Sequence, residues 1–438
     1  MVRKLTHGFN KIFDRFAPSN RMIFRSCGLI SLAKFMGRSG LLEIFNQRLN
    51  DSRHVAKVRF PLAEIVTQII LQIIDGNLRI SQFARSPNLI LFREMFRGNV
   101  PHPTAILNAL KANRLLRFML SKILLRNAMK SALEHCHKSG AKSIIVDMDL
   151  SGRAIHGSQE NVAKGYFALK PKNTKGFQIR LWTVRGLKII LKADLLPGST
   201  HSQNGVLPDF KLIMRTLKMA GIIGVFVGDS GFFSAEICKL IHENGHEFIF
   251  ALPQHKTVRK RGKNAKNKRE RFAGKIVFKE SFRPVDKNNP HRFREIFVKV
   301  LSNDGQLWFD FAADQFTNVL ITNKNLVAEN IYKSYRGHAV IETIIEEIKN
   351  DFGTGIAHSA IFHVNAAMTV ITALAYNIKN SFIDAHQIHG SNGARMKLST
   401  LQAQWLHIPG ILTRNGNRKI LQVPKAAYDR FAMLEKVA

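Results

Sequence analysis

The chain has 438 residues, of which 45% are hydrophobic and 9% aromatic, so it can bury substantial cores and is not a disordered protein. Its 66 Lys and Arg residues outnumber its 31 Asp and Glu residues, which leaves a formal net charge of +35. This excess is spread along the chain, whereas anchoring to an acidic membrane surface usually depends on a local basic segment. The charge therefore favours a nucleic acid over a membrane as the partner.

The cysteines and the apolar segments indicate the cellular compartment in which the protein folds. Cys27, Cys136 and Cys238 are scattered and odd in number, which argues against a disulfide framework and fits a reducing compartment. The basic N-terminus has no continuous apolar stretch of the kind found in a signal peptide, and the most apolar window, 364–376, is too short to span a bilayer. We therefore predict a soluble, cytoplasmic protein, and the length predicts two or three domains.

Residues 1–140 are predicted to be mostly helical. Apolar residues at helical spacing predict one helix over 62–73, and Thr104 is the predicted N-cap of another. The stretch 111–130 is rich in Arg, Lys and Leu. Basic helices of this kind suit phosphate contacts, so we predict a helical N-terminal DNA-binding region over 1–140. A basic helical domain without a nucleic-acid role is the alternative.

From Lys142 the pattern changes to an alternation of strands and helices. The β-branched run at 143–150 predicts a buried strand, and a second buried strand is predicted at 222–227. The predicted elements around them are a hairpin over 176–184 and 187–196, a helix over 208–220, a helix that opens at Ser234 and a strand over 246–252. This order is typical of a mixed α/β layer fold, and we assign 141–254 to the first part of its core.

A run dominated by Lys, Arg and Asn follows over 255–271. We predict an exposed loop that contacts a DNA backbone, and the alternative is a solvated charge run. The residues assigned to this DNA-binding loop are Arg259, Lys260, Arg261, Lys263, Lys266, Lys268 and Arg269. Strands are then predicted at 275–278, 293–301, 306–311 and 316–321. Residues 255–328 are therefore predicted to form a β-rich insertion that carries the basic loop.

The stretch 335–352 is predicted to be one amphipathic helix that ends before Gly353. Its polar residues recur every three or four positions and would share one face, and they are Tyr335, His338, Glu342, Glu346 and Lys349. A solvated, salt-bridged surface would have the same pattern. Residues 329–385 are assigned to the second part of the core, and 386–438 to a helical or irregular tail.

Carboxylates are scarce in this chain, so their positions carry information. Asp147 and Asp149 lie two residues apart on a predicted strand, and hence on the same face. Asp229 follows the second buried strand, at the end where α/β sheets place ligand sites, and Glu342 lies on the predicted helix. These carboxylates either pair with a buried Arg or Lys or bind a divalent cation. Oxygen ligands without a His or Cys cluster suit Mg²⁺ or Mn²⁺, and two such ions can clamp the attacking and leaving oxygens of phosphodiester transfer.

Several local motifs follow one another in order along the chain. They are Asp149-Leu150-Ser151, Ile155 to Glu160 with Gly165-Tyr166-Phe167, Leu196-Pro197-Gly198-Ser199, Val227 to Phe232, Tyr335 with Glu342 and Lys349, and Phe362 to Ala366 with Ala375-Tyr376-Asn377. In order and spacing they resemble the DDE transposases of bacterial insertion sequences, of the type with a Tyr-x2-Arg-x3-Glu-x6-Lys signature. The resemblance covers 143 to about 380 and implies an α/β fold with a ribonuclease-H-like mixed-sheet catalytic core.

The resemblance also implies roles for individual residues. Asp149, Asp229 and Glu342 would be catalytic and would hold two Mg²⁺ or Mn²⁺ ions, with Asp147 as the alternative first ligand. Lys349 and Tyr335 would position DNA phosphates. His338 stands where the signature has arginine, so either His338 or the nearby Arg336 would fill that role.

The implied function is a transposase that cleaves the ends of an insertion sequence and joins the freed 3′-hydroxyl to target DNA. Its partners would be double-stranded DNA, namely the element's inverted repeats and the target, and a second copy of the chain on paired ends. It would act in the bacterial cytoplasm, at the nucleoid, without a membrane partner. Two alternatives remain: a Mg²⁺-dependent DNA nuclease on the same core, and a DNA-binding regulator that has lost catalysis.

Overall fold

The computed structural model describes residues 22–167, 170–171, 173–264, 271–273, 276–284, 291–300, 316–388, 390, 396–415 and 418–437. Within these ranges, helices surround a long sheet that contains both parallel and antiparallel strand pairs. The predicted mixed α/β class is therefore confirmed.

The described N-terminal part, from Met22 to Ser139, is mostly helical. Its elements are β1 (Met22–Phe24), α1 (Gly28–Arg38), α2 (Leu41–Arg48), α3 (Leu62–Ile74), α4 (Leu89–Met95), α5 (Pro103–Ala112) and α6 (Leu116–Ser139), with 3₁₀ turns at Val55–Lys57 and Ile80–Arg85. Helix α3 ends just before Gly76, whose φ of +100° lies in a region that favours glycine. The predicted N-cap of α5 is wrong: the side chain of His102 caps this helix by accepting the N–H of Thr104.

A ten-stranded sheet forms the centre of the protein. Its strands are β2 (Ser143–Ala154), β3 (Ala163–Lys164), β4 (Lys175–Val184), β5 (Ile189–Pro197), β6 (Ile223–Gly228), β7 (Glu247–Ala251), β8 (Arg271–Ala273), β9 (Ile276–Pro284), β10 (Arg292–Val300) and β11 (Asn318–Thr322). Neighbours follow the order β3-β4-β2-β6-β7-β11-β10-β9-β8, and β5 pairs with β4. The pairs β2–β6 and β6–β7 are parallel, while the other pairs are antiparallel.

The two faces of β2 have different neighbours. Ile144, Val146 and Met148 pack into a core with apolar residues of α6, α7 (Leu207–Met219) and α8 (Ala235–Glu243). Successive side chains of a strand point to opposite faces, so Asp147 and Asp149 lie on the other side of the sheet. There they share a face with Ile145, which packs against a separate cluster that includes Tyr332.

The strands predicted as an insertion continue the central sheet, because β11 pairs with β7 in an antiparallel register. The predicted strand at 306–311 lies outside the described residues. The basic run is not a loop where it is described, since Lys256–Asn264 form helix α9 and Val258 buries its side chain in the core beside α8. An apolar residue inside a charge run is the signal that the loop prediction overlooked.

The predicted single helix over 335–352 is wrong. Helix α10 (Ala328–Arg336) is followed by a 3₁₀ turn at Gly337–Ala339, and α11 runs from Val340 to Asn350. Arg185 Nη1 donates a hydrogen bond to the Ser334 carbonyl, which in a continuous α-helix would accept the N–H four residues later. Tyr335 therefore belongs to α10, whereas Glu342 lies in the first turn of α11.

The C-terminal part is more ordered than the predicted tail. It contains α12 (Phe362–Ala385), the short α13 (Leu398–Leu401), a π turn at Gln402–Leu406, the strands β12 (Gly410–Asn415) and β13 (Arg418–Gln422), and α14 (Lys425–Val437). Helix α12 is buried over most of its length in one core with α3, β4 and β5. Strand β12 pairs with both β13 and β1, so the tail prediction missed a hairpin. None of the described helices is long and apolar enough to cross a membrane.

Candidate active site

The strand register brings Asp149 and Asp229 next to each other. The parallel pairing of β2 with β6 places Met148 opposite Gly228, and each aspartate is the next residue along its own chain segment. Asp229 follows the carboxyl end of β6, and its Oδ1 accepts the N–H of Gly231 at 3.0 Å. This is the edge at which parallel strands of an α/β sheet present ligand sites.

Glu342 joins the two aspartates from the first turn of α11. Desolvation is the largest cause that raises the pKa of Asp149, and the negative charges of Asp229 and Glu342 raise it further. Desolvation likewise raises the pKa of Asp229. Asp149 therefore lies close enough to Asp229 and Glu342 for their negative charges to act on it, and a cation beside it would relieve that repulsion.

Asp147 has a different environment from Asp149, although both side chains emerge from the same face of β2. Asp147 is 1% exposed and accepts hydrogen bonds from Arg185 Nε at 2.8 Å and from Arg185 Nη2. His338 Nδ1 lies 2.9 Å from Asp147 Oδ1. Both of its oxygens are thus engaged by side chains, and Asp147 forms an ion pair with Arg185.

Arg185 was not identified from the sequence. It follows β4 in the turn before β5 and reaches across to the end of α10, where a Cβ on Gly337 would lie only 2.7 Å from its Nη1. It therefore links the β4–β5 turn to the break between α10 and α11. The signal available in the sequence was the Arg185-Gly186 turn beside an unexplained buried aspartate.

Tyr335, Arg336 and His338 lie around the break in the helix. The rings of Tyr335 and His338 are stacked with centroids 6.3 Å apart. Desolvation raises the pKa of Tyr335, and the negative charge of Asp229 raises it further, so the tyrosine lies beside the carboxylates. His338 faces the same site, because its charge lowers the pKa of both Asp149 and Asp229. Arg336 is exposed at the end of α10.

Lys349 lies two turns beyond Glu342 on α11. Its Nζ donates hydrogen bonds of 2.7 Å to Ser151 Oγ and to the Gly152 carbonyl. Desolvation is the main cause that lowers the pKa of Lys349 to about 8; Arg153 lowers it too, while Asp149 opposes the shift. The lysine thus lies on the same side of β2 as Asp149 but is held by neutral oxygens.

The basic residues predicted to form a DNA-binding loop have different environments. Arg259, Lys260, Arg261 and Lys263 belong to α9, and Lys266, Lys268 and Arg269 lie outside the described residues. Arg261 forms an ion pair with the buried Glu295, with Nη2 and Oε1 2.8 Å apart. This pairing engages the half-buried Arg261 and leaves Lys260, which is exposed, better suited to bind a phosphate.

The donor set was compared with the needs of a divalent cation. As placed, no group of three or more His, Cys, Asp or Glu side chains in the described part of the chain converges closely enough to hold a metal ion. The chemistry of the set nevertheless fits, because Asp149, Asp229 and Glu342 offer carboxylate oxygens. Among the described residues, none of the three forms an ion pair with a Lys or Arg.

Glu347 supports α11 from its other side. Its Oε1 lies 2.6 Å from Nζ of Lys379, a residue of α12 that is 1% exposed, and also accepts the N–H of Leu398. This contact of Glu347 was not identified from the sequence. A single lysine inside the apolar run of α12 was the available signal.

A cleft of about 990 Å³ lies elsewhere, between α6 and α7, with Leu125, Met129 and Leu212 in its wall. None of the predicted site residues lines it. The cleft is therefore separate from the carboxylate site.

Comparisons with known proteins identify a family. No curated protein matches the chain. Among solved structures, the chain is similar to one described as "Cryo-EM structure of piggyBac transposase synaptic complex with hairpin DNA (SNHP)", with 12% identity and a TM-score of 0.42, over 88% of this chain and 81% of that one. A likeness at that level carries no argument about activity. The family model for "Transposase DDE domain group 1" matches residues 21–437. Since this match spans nearly the whole chain, the protein belongs to the DDE transposase domain group 1 family.

Proposed function

We propose that the protein is an insertion-sequence transposase that cleaves the ends of its element and joins the freed 3′-hydroxyl to target DNA. The observation that carries the proposal is that the parallel register of β2 and β6 brings Asp149 next to Asp229, with Glu342 of α11 close enough for its charge to act on Asp149. Ionised carboxylates in a desolvated site repel one another and so destabilise the fold, and such an arrangement is typical of a functional site. Membership of the transposase family supplies that function.

In this proposal Asp149, Asp229 and Glu342 are the catalytic residues and would hold two Mg²⁺ or Mn²⁺ ions. When bound, such ions activate the attacking oxygen and stabilise the leaving oxygen of a phosphodiester. Asp147 does not take part as a ligand, and instead orients Arg185 and His338. The core around these residues would be of the ribonuclease-H-like type.

The reaction consists of two transfers at phosphorus. In the first, a water oxygen bonds to the phosphorus at the element end, the bond to the 3′-oxygen breaks, and that oxygen takes a proton to leave a 3′-hydroxyl beside a 5′-phosphate. In the second, the 3′-hydroxyl loses its proton, its oxygen bonds to a target phosphorus, and a target 3′-oxygen departs. Both steps require the strand to be held in line, since phosphoryl transfer depends mainly on positioning and charge.

Positioning would fall to side chains that border the carboxylates. Lys349 and Tyr335 would contact backbone phosphates, and exposed Arg336 would take the role of the signature arginine. We favour Arg336 over His338 for this role because His338 is already engaged by Asp147. The helices of 1–140 and the exposed basic residues of α9 would extend the DNA-binding surface, and a dimer would pair two element ends.

The experiment that tests the proposal is a strand-transfer assay. Duplexes taken from the two flanks of the coding region are incubated with the full chain, a supercoiled plasmid and Mg²⁺ or Mn²⁺. We expect covalent joining of a duplex 3′ end to the plasmid, and loss of joining in Asp149→Asn, Asp229→Asn and Glu342→Gln with DNA binding retained. Cleavage without joining would identify a nuclease, and binding without cleavage a regulator; either result would contradict the proposal.

A further inference from the structure

A second group of basic residues lies beside the carboxylate site, and of its members only Lys349 was given a role by the sequence motifs. Arg153 is on β2, Lys349 is on α11, Arg79 immediately precedes the 3₁₀ turn at Ile80–Arg85, and His358 lies between α11 and α12. All four side chains are basic, and they come from four separate segments. Convergence of like charges costs free energy, so it calls for a physical reason.

Contacts in the structure link the members one to the next. Arg153 Nη1 donates a hydrogen bond of 2.7 Å to the main-chain carbonyl of Lys349. A Cβ on Gly355 would lie 3.1 Å from Arg153 Cδ, so this glycine permits the arginine to lie against the loop that leads to His358. A Cβ on Gly353 would lie 3.2 Å from the side chain of Leu78, which brings Arg79 to the same loop.

The electrostatic influences follow the same path. Arg153 lowers the pKa of Lys349 and Arg79 lowers the pKa of Arg153, in both cases after desolvation. Burial and the charge of Arg79 lower the pKa of His358 to about 4, so this imidazole is neutral at pH 7. Arg153 thus lies within electrostatic reach of both Arg79 and Lys349.

These charges are not neutralised by protein carboxylates. Within the described ranges, neither Arg79, Arg153 nor Lys349 forms an ion pair, and the hydrogen bonds found for Arg153 and Lys349 go to hydroxyl and carbonyl oxygens. Asp149 is the acidic group that acts on Lys349, and it belongs to the carboxylate site. An anion from outside the protein would relieve the repulsion, and the fork of an arginine side chain matches a phosphate.

We propose that Arg79, Arg153 and Lys349 form a pocket for one backbone phosphate of a bound DNA strand, beside the carboxylates and at the C-terminal end of α11. Arg79 and Arg153 are the new members; His358 lines the pocket as a neutral group. The inference rests on the proposed function, because it names where the DNA strand lies next to that site. Arg79 also gives the N-terminal region a direct contact with the strand that is to be cut.

The test is the salt dependence of DNA binding by the full chain. A fluorescein-labelled 40-base-pair duplex is titrated with protein in Ca²⁺ buffer at several KCl concentrations, and the slope of log K against log [KCl] is measured. Each phosphate contact contributes about 0.9 to this slope. We expect Arg79→Gln and Arg153→Gln each to lower affinity about tenfold, as for loss of a hydrogen bond to a charged group, and to reduce the slope by about one.

Matched variants separate the pocket from general charge and from folding. Arg215→Gln removes an exposed arginine of α7 and should leave both affinity and slope nearly unchanged. Arg153→Lys keeps the charge and should retain most of the slope. The double variant Arg79→Gln/Arg153→Gln should cost less than the sum of the single variants, because both arginines hold the same phosphate.

The outcomes distinguish this inference from the proposed function. If Arg79→Gln and Arg153→Gln fold with unchanged melting temperatures and bind DNA with the wild-type slope, the pocket is wrong even if strand transfer occurs. If Arg153→Gln does not fold, the exposed Arg79 decides the question alone. Reduced slopes in a protein that never cleaves DNA would support the pocket and overturn the catalytic proposal.

Discussion

Arg185 and Asp147 form a two-point ion pair, with Nε 2.8 Å from Oδ2 and Nη2 bonded to Oδ1. The aspartate is 1% exposed, and the arginine side chain is 13% exposed. The pair is therefore largely hidden from water, and its partners depend on each other. It connects the turn after β4 to the break between α10 and α11, because Arg185 also bonds the Ser334 carbonyl.

The first prediction concerns removal of one member of this pair. Arg185→Met leaves a buried carboxylate with only His338 as a partner, and we expect it to lower the free energy of unfolding by about 3–5 kcal/mol. Urea denaturation followed by circular dichroism measures this. The double variant Arg185→Met/Asp147→Leu should recover a large part of the loss. A single variant as stable as the wild type would show that the ion pair does not support the fold.

The second prediction concerns divalent cations and does not depend on catalysis. If Asp149, Asp229 and Glu342 hold Mn²⁺ or Mg²⁺, the ion stabilises the folded chain, by about 2.7 kcal/mol at a concentration 100 times its dissociation constant. We expect the melting temperature of the wild type to rise with Mn²⁺, and that of Asp149→Asn to stay constant. Without metal, Asp149→Asn should melt at a higher temperature than the wild type, because it removes a repelled charge. Equal Mn²⁺ shifts in both proteins would exclude Asp149 as a ligand.

The third prediction is a pH dependence of DNA binding that originates at Lys349. Desolvation and Arg153 lower the pKa of this lysine to about 8, against 10.5 for an ordinary lysine. The side chain is therefore positively charged at pH 7 and loses this charge progressively as the pH rises through 8. Affinity for duplex DNA should consequently fall between pH 7 and pH 9. Fluorescence anisotropy across this range measures the change. Lys349→Arg should bind with little pH dependence, and a wild-type profile as flat as that of Lys349→Arg would refute the assignment.

The same shift affects stability in the opposite direction. The folded-state pKa of Lys349 lies below its unfolded value, so between about pH 8 and 10.5 the unfolded chain binds more protons and stability rises with pH. Comparison of Lys349→Met with the wild type isolates this contribution, because the variant lacks the titrating group. Binding and stability should therefore move apart above pH 8.

The fourth prediction concerns the ion pair of Lys379 and Glu347, which fixes α11 to α12. Lys379→Met leaves Glu347 with an unpaired charge in a nearly buried position, and we expect a loss of about 3–5 kcal/mol in the free energy of unfolding. Lys379→Met/Glu347→Leu should restore most of that stability, since a buried pair is often replaceable by apolar side chains. Thermal unfolding of both variants checks this. If Lys379→Met were as stable as the wild type and Lys379→Met/Glu347→Leu were less stable, the ion pair would not be what stabilises this contact.

Much of the sheet was predictable because its strands carry strong local signals. The β-branched runs at β2 and β6 and the hairpin of β4 and β5 were found within a few residues of their ends. The adjacency of Asp149 and Asp229 was predictable only in part: the pattern places Asp149 on one buried strand and Asp229 after another, whereas the parallel pairing of the two strands is seen only in the structure.

The break between α10 and α11 was not predictable in the same way. The 3.6-residue spacing continues through Gly337, and the interruption comes from Arg185, whose hydrogen bond to Ser334 spans 149 positions. The engagement of Asp147 has the same origin, because Arg185 and His338 are 38 and 191 positions away. Periodicity reports local geometry, whereas these features depend on side chains that meet only after folding.

The sharing of Asp147 between Arg185 and His338 has a consequence for how the chain tolerates change in length. Side-chain contacts across the sheet hold the residues around the carboxylates in place. The polypeptide between β7 and α10 leaves at the end of β7 and returns at β11, which pairs with β7. Segments added between β9 and β11 would lengthen the excursion without shifting either end of it. Insertions in this one region would therefore leave the distances between Asp149, Asp229 and Glu342 unchanged.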